Sequence, residues 1–316
     1  MAINLARFAL AGVEKWGVAF GDRISPLDGS YPSTAALIAL GEADWRAAAQ
    51  RSPSVQLRDV VLLSPVTTPC RVYCQGANYR QHMIESGMNP DEKAFNMFFT
   101  KSDASIASAV ATVTRPRHVQ LLDYEIELGL VFRKPISAAT QVTRDNLKEF
   151  VFGITIANDL SARDVQLPQT QFFKGKSYRG FCPVGPWLTV PEDNEFDYLD
   201  RLQLLLTVNG ETRQEDTTAN LVFKPAETIS ELSTFANVMA GDLLLTGTPS
   251  GCALRVPPPM VRKLLQLLPD RKFWKLFGQA QARRAEYLKP GDRISARIYS
   301  EDGRLDLGEQ KTLVSA

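Results

Sequence analysis

From Leu122 to Phe132 apolar and acidic positions alternate: Leu122, Asp123, Tyr124, Glu125, Ile126, Glu127 and Leu128, followed by the uncharged run Gly129 to Phe132. A period of two in a stretch rich in β-formers predicts a strand, on which side chains two apart share a face. Glu125 and Glu127 therefore point the same way. Two adjacent carboxylates on an otherwise apolar strand repel one another and resist burial unless a cation that prefers oxygen lies between them. A divalent metal, Mg²⁺ before others, accounts for the pair, and so does an edge strand with a solvated acidic face. The apolar run Val151 to Ala157 predicts a second strand, ending in Asn158-Asp159. Asp159 is well placed there as a third ligand, with Asp164 read instead as an N-terminal helix charge. Three carboxylates leave positions open in an octahedral Mg²⁺ shell for water and substrate oxygens.

Around these two strands the pattern predicts a mixed, β-rich α+β chain. Residues 1–65 read as a small N-terminal domain, with short strands at Phe8 to Leu10, Gly17 to Phe20 and Ile24 to Leu27, a helix capped by Ser33 and stopped by Gly41, and a second helix over Asp44 to Arg51. Residues 66–316 form the main domain. Its expected elements include strands at Arg71 to Gln75 and Phe98 to Ser102, a short helix over Thr143 to Glu149, a hairpin turning at Asn209-Gly210, and a helix over Thr228 to Asn237. Between about 255 and 286, Val261, Leu264, Leu265 and Leu268, then Phe273, Trp274 and Phe277, fall at helical spacing and predict an inserted helical hairpin.

The balance of 36 Lys and Arg against 35 Asp and Glu gives no reason to expect nucleic acid or an acidic membrane as partner. The insertion is locally basic, but a lid or subunit contact with a solvated face explains that better than RNA. Cys70, Cys74, Cys182 and Cys252 hold one close pair and no second, so reduced and mostly buried thiols are expected rather than a four-thiolate zinc site. No apolar run reaches membrane-spanning length, and the cytoplasm is the expected location.

The remaining chemistry lies in four places. His82 and Glu85 are three apart on a predicted helical segment; a carboxylate beside an imidazole makes it a better base, although a surface ion pair has the same spacing. His118, the other of the two histidines, has no such partner in the sequence. Arg163 and Gln166 are again three apart, and Lys174 and Lys176 follow; cations near a carboxylate cluster either neutralise it or bind an anionic substrate. Lys101 ends an apolar run and could be a solvated strand end or face a site. The Thr246-Gly247-Thr248-Pro249 loop exposes backbone N–H groups and a threonine hydroxyl suited to a carboxylate or keto oxygen, or is a tight turn and nothing more.

Taken in order, Asn78-Tyr79 with His82 and Glu85, Asp123-Tyr124-Glu125-Ile126-Glu127, Asn158-Asp159 with Ser161-Ala162-Arg163-Asp164 and Gln166, Gly175-Lys176-Ser177, and Thr246-Gly247-Thr248-Pro249 with Gly251 resemble the fumarylacetoacetate hydrolase family. The resemblance runs from about residue 66 to the end, interrupted by the insertion. It implies a mixed β-roll in the main domain and usually a homodimer. It implies that Glu125, Glu127 and Asp159 bind Mg²⁺ or Mn²⁺, and that His82 with Glu85 activates water. It implies further that Lys176 holds substrate or balances negative charge, and that Arg163, Gln166 and Thr248 contact substrate oxygens. The expected activity is metal-dependent hydrolysis of a C–C bond in a 1,3-dicarbonyl keto acid, an acylpyruvate or a relative of fumarylacetoacetate from aromatic catabolism. The alternatives are decarboxylation, hydration or enol–keto isomerisation of a related keto acid, or a metal-binding member without catalysis.

Overall fold

At the centre of the computed structural model, which describes residues 1–256 and 268–316, lies the antiparallel pair Ile126–Phe132 and Val151–Asn158. Every residue of both strands is buried, as strands covered on both faces require. The register sets Ile126 opposite Asn158 and Glu127 opposite Ala157. Asn158-Asp159 is thereby delivered beside Glu125, although Asn158 lies 33 residues further along the chain.

Among the described residues this pair belongs to a 13-stranded sheet. On one side Ile126–Phe132 is followed by Leu243–Leu245, then Val72–Gly76 and Met97–Lys101; the contact between Leu243–Leu245 and Val72–Gly76 is parallel, which makes the sheet mixed. A second sheet of five strands orders Glu211–Thr217, Gln203–Val208, Arg293–Tyr299, Asp306–Ser315 and Val110–Thr114. Alternate residues of Gln203–Val208 and Arg293–Tyr299 face inward. Leu204, Leu206, Ile294, Ala296 and Ile298 join Leu128, Leu130, Ile154 and Ile156 in one apolar core. The hairpin turns as expected at Asn209 (φ 53°) and Gly210 (φ 84°), the left-handed pair that suits a two-residue connection.

The N-terminal residues form a meander of Ile3–Leu10, Val13–Phe20 and Arg23–Pro26 and two helices, Thr34–Leu40 and Glu42–Ala49. The Ser33 hydroxyl accepts from the Ala36 N–H at 3.1 Å, capping the first of these. Ile3–Leu10 pairs with Leu188–Val190, so hydrogen bonds carry the large sheet across the division at residue 65.

Three expectations change. The acidic run is not one strand: Leu122–Asp123 pairs with Ser161–Ala162, and the ladder resumes only at Ile126. Side chains take the backbone bonds in the gap, where the Tyr124 N–H donates to Asp123 Oδ1, the Glu125 N–H to Asn158 Oδ1 and the Ile126 N–H to Gln214 Oε1. The helix expected over Thr143 to Glu149 shrinks to one 3₁₀ turn, Leu147–Glu149. The Thr143 N–H donates to Asn146 Oδ1 and the Asn146 N–H to Thr143 Oγ1, side-chain bonds that compete with the helix. Of the helical hairpin, the second arm is the helix Asp270–Ala282, while the first arm, with Val261, Leu264 and Leu265, lies outside the described residues. No helix among the described residues is long and apolar enough to cross a membrane.

Asn78 joins the elements that meet at the site. Its buried amide donates to Phe223 O and Thr246 O, both at 3.0 Å, and accepts from the Phe223 N–H at 2.9 Å. Asn78→Ala strands the buried Thr246 carbonyl and two backbone groups of the half-buried Phe223, and a buried group left unpaired costs about 1–3 kcal/mol. We expect a loss of about 3 kcal/mol in stability, read as a lower urea midpoint at unchanged slope; an unmoved midpoint would contradict this role.

Candidate metal centre and its cavity

The strand break, the end of Val151–Asn158, the strand Met97–Lys101 and the short helices Arg163–Gln169 and Phe172–Lys176 converge on one buried cluster of charge. It contains the carboxylates of Asp123, Glu125, Glu127 and Asp159 and the cations of Lys101, Arg163 and Lys176, none more than 5% exposed. The Lys176 ammonium bridges Glu125 Oε2 at 2.5 Å and Asp159 Oδ2 at 2.6 Å. Lys101 Nζ donates to Asp159 Oδ1 at 2.5 Å and to Phe181 O at 2.9 Å. The Arg163 guanidinium binds Asp123 Oδ2 through Nε at 2.9 Å, Gln166 Oε1 through Nη1 at 2.9 Å, and Glu125 through Nη2.

Four carboxylates face three cations, and Glu127 is the one left over. Its hydrogen bond is accepted from the Gly247 N–H at 2.7 Å. Burial, and then the neighbouring charges of Asp159 and Glu125, push its pKa well above the ordinary carboxylate value. Glu125 is as deeply buried, and burial works in the same upward direction; Arg163 and Lys176 outweigh it and hold the group at about 2. One oxygen from each of Glu125, Glu127 and Asp159 lies within 4.8 Å of the others. A surplus carboxylate that resists ionisation, in an all-oxygen donor set of this size, fits a hard divalent cation.

A cavity of about 220 Å³ opens over the cluster. His82, Glu125, Glu127, Arg163, Gln166, Lys176 and Thr248 all line it, so the structure brings together most of the residues singled out in the sequence. Their engagements differ from those expected. The Arg163 guanidinium, expected on substrate oxygens, is held by Asp123, Glu125 and Gln166. Gln166 accepts with Oε1, and among the described residues its Nε2 makes no hydrogen bond. The Thr248 hydroxyl donates to Ile126 O at 3.0 Å, and the Gly247 N–H serves Glu127, so the loop first braces the carboxylates. Lys176, with three donors, places two on Glu125 and Asp159.

Glu85 is the residue not brought in. Its carboxylate pairs with Arg255 Nη1 at 2.7 Å, and among the described residues no hydrogen bond joins it to His82. His82, half-buried on the helix Arg80–Glu85, has its pKa lowered, first by burial and then by Arg163, against the opposing pull of Glu125, Asp123 and Glu85. The net effect favours the neutral imidazole.

Three participants were not assigned from the sequence. Lys101 was left open between solvent and site, and its burial on Asp159 settles it in the cluster. Asp123 belongs to the alternation and to the motif that carries the resemblance, with no role of its own assigned there; its carboxylate also accepts from the Ala253 and Leu254 N–H groups, tying the loop before the insertion to Arg163. Gln214, from the second sheet, donates to Thr248 Oγ1 and Pro249 O. Nothing local in the sequence marks Gln214, because its partners lie more than thirty residues away.

Two substitutions test the cluster. Glu127→Gln removes the surplus charge and a ligand, and should weaken Mg²⁺ or Mn²⁺ binding by at least about 10-fold in calorimetric titration, the loss typical of even an outer partner of a metal site. Titration identical to the parent chain would count against the site. Lys101→Met leaves Asp159 with one cation of two and should lower stability by about 3 kcal/mol, as breaking a buried pair does; a denaturation midpoint at the parent value would place Lys101 outside the charge balance.

Comparison with known proteins gives a consistent picture. The description "Fumarylacetoacetate (FAA) hydrolase C-terminal" matches residues 71–314. The oxaloacetate tautomerase YisK of Bacillus subtilis is 38% identical over 205 residues, 64% of this chain and 66% of that protein. The mitochondrial oxaloacetate tautomerase Fahd2a of Rattus norvegicus is 34% identical over 220 residues, 69% of this chain and 68% of that protein. The chain thus spans about two thirds of the length of these curated relatives. The solved structure of fumarylacetoacetate hydrolase from Exiguobacterium antarcticum superimposes with a TM-score of 0.73 at 28% identity, covering 99% of each chain. With that match over the main domain and the buried Glu125, Glu127 and Asp159 at its centre, the chain belongs to the fumarylacetoacetate hydrolase family.

Proposed function

We propose that the protein interconverts the keto and enol forms of a 2-oxo acid, using His82 as the proton carrier and a divalent cation in the acidic site. The observation that carries this reading is the placement of His82: it lines the cavity, while its sequence neighbour Glu85 is engaged by Arg255. Moving a proton between carbon and oxygen needs one such base. Hydrolysis of a C–C bond, the first reading of the sequence, needs in addition a water activated by the imidazole with a carboxylate behind it, and Glu85 is turned away from that task. The tautomerase names of the Bacillus and rat relatives support the same choice.

A divalent cation held by Glu125, Glu127 and Asp159 would supply positive charge to the paired oxygens of a 2-oxo acid. The remaining donor of Lys176 and the Nε2 of Gln166 orient those oxygens from the cavity wall. In the keto-to-enol direction the C3–H bond breaks, its electron pair becomes the C2=C3 π bond, and the carbonyl π pair moves onto oxygen. His82 takes the proton from C3 and gives it to that oxygen, so no water is consumed and the proton count is unchanged. Arg163 keeps Glu125 ionised while charge shifts beside it.

Two measurements test the scheme. His82→Ala should lower kcat/KM for enol–keto conversion by at least about 100-fold, the lower end of general acid–base contributions. Glu85→Gln should leave it within about 3-fold, since no dyad is required; an equal loss in both variants would return the dyad and favour hydrolysis. Because the reactive form of His82 is the neutral one and its pKa is lowered, activity should rise with pH through an inflection below the ordinary histidine value of about 6.5 and stay level through neutrality. A limb that survives in His82→Ala would assign the titration to another group.

A further inference from the structure

The cavity is built in two halves of opposite chemistry, and the same elements build both. On the strand Met97–Lys101, alternate residues Met97, Phe99 and Lys101 share one face. Lys101 reaches into the charge cluster, while Phe99 and Met97 line the cavity at successive steps of about 7 Å away from it. On the helix Phe172–Lys176, Phe172 and Lys176 are one turn apart, and both face the cavity. Phe99 meets Phe172 edge to face, with centroids 5.3 Å apart, and Lys176 Nζ lies 5.4 Å from the centre of the Phe99 ring. The aromatic wall therefore begins directly beside the ammonium that faces the reacting oxygens. Met88, Leu167, Leu254 and Val256 add to the apolar lining.

No cation lining the apolar half is available among the described residues. Lys101, Arg163 and Lys176 are committed to the cluster. Outside the lining, Arg255 pairs with Glu85 at 2.7 Å and Arg80 with Asp91 at 2.7 Å. The side-chain amide of Gln75, the polar group at the base of this wall, donates to Asn96 and accepts from the Thr228 hydroxyl. A second carboxylate on the ligand would lie against two phenyl rings and a thioether with no ion to pair with, which is unfavourable for a desolvated charge.

We propose that the ligand is a 2-oxo acid with a single carboxylate, bearing on C3 an apolar group large enough to lie against Phe99 and Phe172. The proposal rests on the keto–enol reading above and narrows it away from short dicarboxylates such as oxaloacetate. The full chain with Mg²⁺ tests it on two substrates, phenylpyruvate and oxaloacetate, by the rate of change of enol absorbance, alongside calorimetric titration with oxalate, which carries the paired oxygens alone. We expect oxalate to bind in a Mg²⁺-dependent manner and kcat/KM to favour phenylpyruvate by at least about 10-fold, a discrimination within reach of an apolar pocket. Met97 is 38% exposed, so a longer polar side chain is tolerated there. Met97→Arg supplies the missing cation and should shift the ratio toward oxaloacetate by at least about 10-fold. Oxalate binding combined with equal or better use of oxaloacetate would overturn the inference and leave the keto–enol reading standing, as would an unchanged ratio in Met97→Arg. Absence of both oxalate binding and turnover of either substrate would overturn the two together.

Discussion

Four carboxylates sealed with three cations leave one, Glu127, with no cation to pair with, and the architecture of the main domain follows from holding it. Like charges in an interior separate unless something binds them. Here the binding groups come from different segments: Lys101 from a strand end, Arg163 from a short helix and Lys176 from the next. Each salt bridge therefore also joins two elements. Asp123 extends the network to the loop at Ala253 and Leu254, and Gln214 brings the second sheet onto the Thr248 loop. The strand break at Tyr124 and Glu125 fits the same scheme, because bonds to Asn158 and Gln214 side chains replace the ladder where Glu125 must turn inward.

The chemistry inherits this arrangement. With Glu127 ionised, a divalent cation would take the net charge of the cluster from one negative to one positive, which would suit the carboxylate end of the proposed 2-oxo acid. Beyond it the cavity turns apolar within one side chain, at Phe99. In the proposed reading, attack by water needs a carboxylate behind the imidazole and proton transfer does not. In this chain Arg255, at the edge of the insertion, holds that carboxylate.

The sequence made the centre legible because its signal is local. Alternation marked Glu125 and Glu127, a strand end marked Asp159, and the order of motifs carried the family. What it obscured depends on partners far along the chain. Lys101 looks like any strand-end lysine until Asp159, 58 residues later, is set against it. The i, i+3 spacing of His82 and Glu85 suggested a pair, but spacing does not decide between an imidazole and a guanidinium that tertiary structure supplies. The N-terminal strands were legible as strands, though not their pairing with Leu188–Val190. The helix lost at Thr143 shows Thr and Asn side chains prevailing over a weak helical pattern.

A crystal of the full chain grown with Mn²⁺ and measured for anomalous scattering tests the central claim most directly. The account predicts one strong peak bonded to an oxygen of each of Glu125, Glu127 and Asp159. A peak elsewhere, or the three carboxylates unchanged beside Lys176 at saturating Mn²⁺, would contradict it.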